Sequence, residues 1–242
     1  KKMNLVIDIG NSNVKVATFK EDFLLNNEVV EYSKLIYYLN DLNFNYGIIS
    51  NVGNQNLESE LLNKYPNLIS LSNKLNFPIQ FSYQSMDSIG KDRIANAVGA
   101  FVQNPNSNSL VIDAGTCLTF DFIDSNNCYH GGAISPGLTM RFKALNAFTE
   151  KLPLLDVKSA DIKLIGSDTK SSIISGVING MAGEIISIIE RYRQKHELLT
   201  IFFTGGDSEF INSIVEFEKN GIFAVENLTM IGLNTILTNN EK

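Results

Sequence analysis

The chain has few cysteines and histidines, no excess of basic charge and no long apolar run. Its two cysteines, Cys117 and Cys128, show neither metal-ligand spacing nor a CxxC pattern, which points to a reduced, cytoplasmic protein. Two histidines, His130 and His196, give little material for a zinc site or a histidine-based nucleophile. Twenty Lys and Arg against 26 Asp and Glu leave a formal charge of −6, which argues against a nucleic-acid surface. No apolar stretch approaches the roughly 18 residues of a membrane span. The first residues, Lys1 to Asp8, meet a charge after three apolar positions, unlike a secretory signal. No GxxxxGK[ST] stretch occurs, so a Walker-type nucleotide site is excluded. Neither a nucleic acid nor a membrane is expected as a partner.

What is present is a repeat. Residues 5–10 read Leu-Val-Ile-Asp-Ile-Gly, and residues 110–115 read Leu-Val-Ile-Asp-Ala-Gly. Each is a short apolar run that reaches an aspartate and a glycine, then resumes an apolar/polar alternation: strand, tight turn, strand. Alone, either copy is also compatible with an ordinary hairpin, because hairpin turns are rich in Asp and Gly. Two copies at domain spacing suggest two related domains, 1–108 and 109–242, with a phosphate-gripping turn in each. The 242 residues and 44% hydrophobic content suffice for two modest cores. Backbone N–H groups at a glycine turn cradle phosphate, and Asn11, Ser12 and Asn13 add side-chain donors in the first copy. Lys15 either screens phosphate charge or is a solvated strand lysine.

The rest alternates strands and helices, an α/β pattern with mixed sheets. Strands are expected at 4–9, 14–19, 46–51, 67–71, 79–83, 199–204 and 222–225, and 128–137 reads as a strand leading into a glycine-rich bend. Helices are expected at 33–42, 55–65, 90–103, 138–147, 170–196, 207–218 and 227–238. Residues 148–168 read as an irregular surface excursion. Asp92 falls in the first turn of the 90–103 helix. It either complements the helix dipole or serves as a general base with a fixed direction. Gly176, Gly180 and Gly183 lie inside the long helix, where each costs about 1 kcal/mol relative to alanine. Close approach of another backbone, from this chain or a second subunit, would explain them. Gly205-Gly206-Asp207 reads as a turn that admits a flat ligand, or as a plain strand-to-helix turn, with Asp207 capping the helix.

Five stretches occur in a telling order: Asp8-Ile-Gly-Asn-Ser12, Gly90-Lys-Asp-Arg93, Asp113-Ala-Gly-Thr116, Gly166-Ser-Asp-Thr169 and Thr204-Gly-Gly-Asp207. In this the chain resembles the type III pantothenate kinases over nearly its whole length. The resemblance implies two duplicated actin-like ATPase (ribonuclease H-like) domains around an ATP cleft. It implies transfer of the ATP γ-phosphoryl group to pantothenate, the first step toward coenzyme A. Asp8, Ile9, Gly10, Asn11, Ser12, Asn13, Val14 and Lys15 would bind the phosphates, with Asp8 near Mg²⁺ and Thr116 reaching them from the second turn. Asp113 would help bind a monovalent cation, K⁺ or NH₄⁺. Tyr83, Gly90, Lys91, Asp92 and Arg93 would line the pantothenate pocket, with Asp92 as proton acceptor and Arg93 facing the substrate carboxylate or a structural partner. Thr169 would reach substrate across a homodimer interface to which the 170–196 helix is suited. Departures are mild: Ser12 replaces a common threonine, Cys117 a common alanine, and Lys91 fills a variable slot. A regulatory, non-catalytic member of the same family and another small-molecule kinase of the superfamily remain as alternatives.

Overall fold

The computed structural model describes residues 2–10, 13–155, 162–215 and 222–241. Their contacts fall into two compact units. One comprises Lys1–Pro105, Asn127–Tyr129 and Asn227–Lys242, the other Asn106–Asn126 and His130–Glu226. The boundary read from the repeat therefore needs correcting: the chain's last helix packs with the first unit.

In the first unit, β1 (Met3–Ile9) pairs antiparallel with β2 (Val14–Lys20), which pairs antiparallel with β3 (Phe23–Val30). On its other side β1 lies parallel to β4 (Tyr46–Asn51), and β4 to β5 (Leu68–Ser70). The order is β3-β2-β1-β4-β5. Helices α1 (Leu35–Asn40) and α2 (Gln55–Lys64) add Leu35, Leu39, Leu57 and Leu61 to the core of Leu5, Ile7, Ile9, Val14, Val16 and Ile49. Asn54 caps α2 by accepting the Leu57 N–H at 3.1 Å. Strand β6 (Gln80–Phe81) pairs parallel with Cys128 and Tyr129. Strand β3 went unread in the sequence because it is an edge strand whose side chains are mostly exposed.

Helices α3 (Lys91–Gln103) and α7 (Leu228–Asn240) cross closely in this unit. A Cβ at Gly232 would stand 1.8 Å from the Ala95 carbonyl oxygen, and one at Gly99 2.4 Å from that of Leu228. Gly232→Ala is therefore expected to destabilise the protein by at least about 1–3 kcal/mol, the usual cost of overpacking, as read from urea denaturation. Gly176, Gly180 and Gly183 behave differently: among the described residues a Cβ at any of them meets nothing within 4 Å, so no described backbone explains them.

The second unit repeats the first strand for strand. β7 (Ser109–Ala114) pairs antiparallel with β8 (Cys117–Ile123), and β9 (Cys128–Pro136) lies outside β8. β10 (Thr200–Thr204) and β11 (Ile222–Ala224) extend the sheet in parallel from β7. The sheet has six strands in the order β11-β10-β7-β8-β9-β6; apart from β6 outside β9, its order β9-β8-β7-β10-β11 matches β3-β2-β1-β4-β5. Helices α4 (Leu138–Ala147), α5 (Thr169–Arg193) and α6 (Ser208–Val215) cover it. By length and composition alone α5 could cross a membrane. Its Ile173, Val177, Ile178, Met181, Ile185 and Ile189 are instead packed in the core with Leu110, Ile112 and Phe120.

Candidate active site

Each repeated aspartate stands near the carboxyl end of a central strand, beside a parallel neighbour. That is where open α/β sheets bind ligands. Asp8 on β1 is in register with Lys15 on β2 and Ser50 on β4. Asp113 on β7 is in register with Thr119 on β8 and Thr204 on β10. Both aspartates thus face a hydroxyl residue on the parallel side, but only the first has a lysine on the antiparallel side. The first turn alone carries the cation that suits it to phosphate.

Burial pushes the Asp8 carboxyl above the usual aspartate range, and the charge of Asp92 pushes it further; the Ser50 hydroxyl and Lys15 pull it back. Asp8, expected to hold metal, and Asp92, expected to accept a proton, belong to one unit. The turn between β1 and β2 is closed by the Gly10 N–H donating to the Asn13 carbonyl at 3.1 Å. The Tyr32 hydroxyl donates to the Gly10 carbonyl. Gly53 lies against the same oxygen, where a Cβ would come within 2.5 Å. Ile9 and Val14 are buried supports of the turn rather than presented side chains. Asn11 and Ser12 lie outside the described residues.

Asp92 sits in the first turn of α3, where its Oδ1 accepts the Arg93 backbone N–H at 2.8 Å. Gly90 precedes it closely; a Cβ there would stand 2.5 Å from that oxygen, so glycine leaves the carboxylate its position. Arg93 is buried. Lys91 turns its ammonium to Glu58 on α2, 3.6 Å away, rather than standing free beside Asp92. The half-buried Tyr83 ring lies 6.0 Å from that of buried Tyr129, which also packs on Phe81 at 5.7 Å. The first unit therefore carries Asp8, Gly10, Asn13, Lys15, Tyr83 and Gly90 to Arg93.

The second unit carries Asp113, Thr116 and Thr169. Backbone carbonyls crowd the turns beside Asp113. A Cβ at Gly205, whose φ is +101°, would stand 2.4 Å from both the Asp113 Oδ1 and the Ala114 carbonyl. One at Gly137 would stand 2.3 Å from the Gly115 carbonyl and 2.4 Å from that of Thr116. A carboxylate with crowded carbonyls is the donor chemistry of a hard cation. Thr116 is exposed in the β7–β8 turn. Thr169 is the exposed first residue of α5, held by a capping box: Asp168 accepts the Ser171 N–H at 2.9 Å, and the Ser171 hydroxyl accepts the Asp168 N–H at 3.0 Å. The Ser171 backbone and hydroxyl together hold the Asp168 carboxyl below its usual range.

Sequence reasoning missed Ser50, Asn51, Gly53 and Glu58. One signal was available: Ser50-Asn51 puts two polar residues at the end of an otherwise apolar strand, and both are buried. Such a pair at the carboxyl end of a parallel strand is placed for a site, not for a core.

Comparison with solved structures first defines the class. The activator of the 2-hydroxyisocaproyl-CoA dehydratase from Clostridium difficile, solved with bound ADPNP, superposes with a TM-score of 0.58 at 13% identity, covering 98% of this chain and 94% of that one. The fold is that of the two-domain actin-like ATPases and ROK sugar kinases. A conserved Baf-family protein from Campylobacter jejuni, described as a transcriptional activator, is nearer: TM-score 0.65, 25% identity and 98% of both chains.

The family model for type III pantothenate kinase matches residues 4–191. A type III pantothenate kinase from Christiangramia forsetii is 42% identical over 99% of both chains. The chain belongs to the type III pantothenate kinase family. It is an enzyme, a kinase of coenzyme A biosynthesis.

Proposed function

We propose that the chain transfers the γ-phosphoryl group of ATP to the terminal hydroxyl of pantothenate, with Asp92 as proton acceptor. The bond from the hydroxyl oxygen to phosphorus forms, the bond to the β-phosphate oxygen breaks, and ADP and 4′-phosphopantothenate leave. The observation that carries this reading is the placement of Asp92 in the first turn of α3, where its Oδ1 accepts the Arg93 N–H at 2.8 Å and Gly90 leaves it room. Phosphoryl transfer asks for alignment and charge neutralisation more than for covalent chemistry. A carboxylate whose direction is set by a helix start meets that need.

The other roles are those the family resemblance implies. Gly10, Asn13 and Lys15, with Asn11 and Ser12, bind the ATP phosphates, and Thr116 contacts them from the second turn. Tyr83, Gly90, Lys91 and Arg93 line the pantothenate pocket, and Thr169 also reaches substrate. Asp8 holds Mg²⁺: a desolvated carboxylate is relieved by a cation. Asp113, with the Ala114, Gly115 and Thr116 carbonyls, holds K⁺ or NH₄⁺. Bound cations supply neutralisation of the charge that develops on the transferring group. The protein works in the cytoplasm as a homodimer, with the open glycine face of α5 and its exposed Ile186 at the interface. A regulatory reading draws on the Baf-family likeness, but a formal charge of −6 is poorly suited to binding DNA directly.

The test is ATP-dependent phosphorylation of pantothenate by the purified protein, with K⁺ or Na⁺ and with hexoses as competitors. Turnover stimulated by K⁺ and indifferent to hexoses supports the reading; ATP binding without turnover moves it to the regulatory alternative.

The monovalent-cation role has its own variant. At Gly205 the positive φ disfavours any side chain, and a Cβ would collide with the Asp113 carboxylate. Gly205→Ala is expected to lose most of the K⁺ stimulation, so that rates in K⁺ and Na⁺ become nearly equal. A K⁺ titration of initial rates measures it.

A further inference from the structure

Glu58 is a residue that neither the motif resemblance nor the repeat singles out, yet three elements of the first unit meet at its carboxylate. Its Oε2 accepts the Asn51 side-chain N–H at 2.7 Å, at the end of β4. Its Oε1 accepts the Ser70 hydroxyl on β5. The same oxygen faces the Lys91 ammonium at 3.6 Å, at the start of α3. With a side-chain exposure of 14%, Glu58 is more enclosed than Lys91, at 29%.

Asn51 carries the connection onward. Its Oδ1 accepts the N–H groups of Gly53 and Asn54, both at 2.9 Å, and its Nδ2 donates to the Asn54 carbonyl at 2.9 Å. The Val52 N–H donates to the Ile9 carbonyl at 3.0 Å, and Gly53 rests against the Gly10 carbonyl. One polar chain thus runs from the phosphate turn, through the end of β4, to the residue next to Asp92. The alternative, that Glu58 merely satisfies buried polar groups, accounts for Asn51 and Ser70. It does not account for a lysine drawn to the same carboxylate from the first turn of α3.

We propose that Glu58 is a positioning residue for phosphoryl transfer. By tethering Lys91 it fixes the first turn of α3, and hence Asp92, against the Asp8 turn. This rests on the reading of Asp92 as the base. The tether borders a cleft of about 460 Å³ lined also by Ser59, Asn73 and Met86, so water reaches it and the ion pair's own strength is modest. Its effect is therefore on alignment. Misplacing a catalytic group by about 1 Å can cost about 10²-fold in rate.

The experiment is steady-state kinetics on Glu58→Gln, Lys91→Met and the double variant of the full-length protein, beside Asp92→Asn, each with a thermal melt. Glutamine keeps the shape and one acceptor oxygen, for the Asn51 N–H; its NH2 can donate to the Ser70 hydroxyl, which turns round to accept, and the charge that holds Lys91 is removed. The expected result is a drop of about tenfold or more in kcat for each single variant, with the KM for ATP within about twofold. The double variant falls no further than the worse single one, because both cut the same link. A purely structural Glu58 would lower the melting temperature and leave kcat of the folded enzyme intact; that result overturns the proposal. So do multiplicative losses in the double variant. An inactive Asp92→Asn enzyme beside undiminished Glu58→Gln removes the tether alone. Normal turnover of Asp92→Asn removes the base reading and the tether with it.

Discussion

The Asp92→Asn enzyme is expected to bind ATP and pantothenate nearly normally and to turn over about 10²–10⁴-fold more slowly, the usual contribution of a positioned acid or base. In activation free energy this is about 3–5 kcal/mol. The substitution is clean because asparagine keeps an oxygen that can accept the Arg93 N–H, the contact that Asp92 Oδ1 makes at 2.8 Å. It also leaves Gly90, whose missing Cβ gives that oxygen its room, untouched. What is lost is the negative charge and the ability to take a proton. The loss therefore belongs in kcat, with KM values near wild type. A second consequence needs no turnover. The Asp92 charge is one of the two influences that raise the Asp8 carboxyl, so its removal lowers the Asp8 titration point. A carboxyl-carbon NMR titration of both proteins reads this shift directly. Unchanged turnover would end the assignment of Asp92 as base, and an unmoved Asp8 titration would mean that the two groups do not face one another.

The parts of this site that were legible in the sequence are those written as chemistry on one short stretch. Leu-Val-Ile-Asp occurs twice because the same strand is built twice. The repeat extends further than the letters show: β3-β2-β1-β4-β5 and β9-β8-β7-β10-β11 are the same order. Asp8 and Asp113 each find a hydroxyl partner, Ser50 or Thr204, on the parallel neighbour. Those partners lie 42 and 91 positions downstream in chain order, and no local pattern pairs them. The same limit hid Glu58. It sits on the helix face between Leu57 and Leu61, and only the return of β5 and α3 brings Ser70 and Lys91 to it.

The glycines show the limit from the other side. Gly176, Gly180 and Gly183 stood out because they punctuate a helix, yet a Cβ at any of them would meet no backbone among the described residues. Gly99 and Gly232, in helices 90–103 and 227–238 of the sequence reading, are where two backbones meet. A helix sequence reports that a glycine is costly there; it does not report which helix crosses it. For the same reason α7 was assigned by chain order to the second domain. Leu228, Met230, Leu233, Ile236 and Leu237 demand burial without naming the sheet or helix that provides it.

Asp8→Asn is expected to have opposite effects on activity and on stability. Asp8 is an acid whose burial, aided by the charge of Asp92, raises its pKa in the folded chain. The folded state then binds the proton more tightly than the unfolded state does. Stability from this group is present at low pH, falls as pH rises from the ordinary aspartate range through the raised value, and is fully lost above it. Above that raised value Asp8 is thus an ionised group held where burial disfavours it, with the Ser50 hydroxyl and Lys15 offsetting only part of the cost. Asparagine is uncharged and removes that cost. Urea denaturation without nucleotide should find the variant gaining on wild type in stability as pH rises from the ordinary aspartate range, with the difference fading as pH falls back into it. Activity should move the other way. The charge that destabilises the empty site is the charge that attracts a divalent cation, and a bound metal contributes several kcal/mol of stabilisation to the transferring charge. The variant is accordingly expected to lose at least about 10²-fold in kcat/KM. Melting curves with Mg²⁺ and a non-hydrolysable ATP analogue separate the two effects without turnover. Adding Mg²⁺ raises the wild-type midpoint further than nucleotide alone and leaves the Asp8→Asn midpoint where nucleotide alone puts it. A variant that is less stable than wild type at neutral pH, or that gains equally from Mg²⁺, would show that Asp8 is held by its neighbours for structure and not kept ionised for a metal.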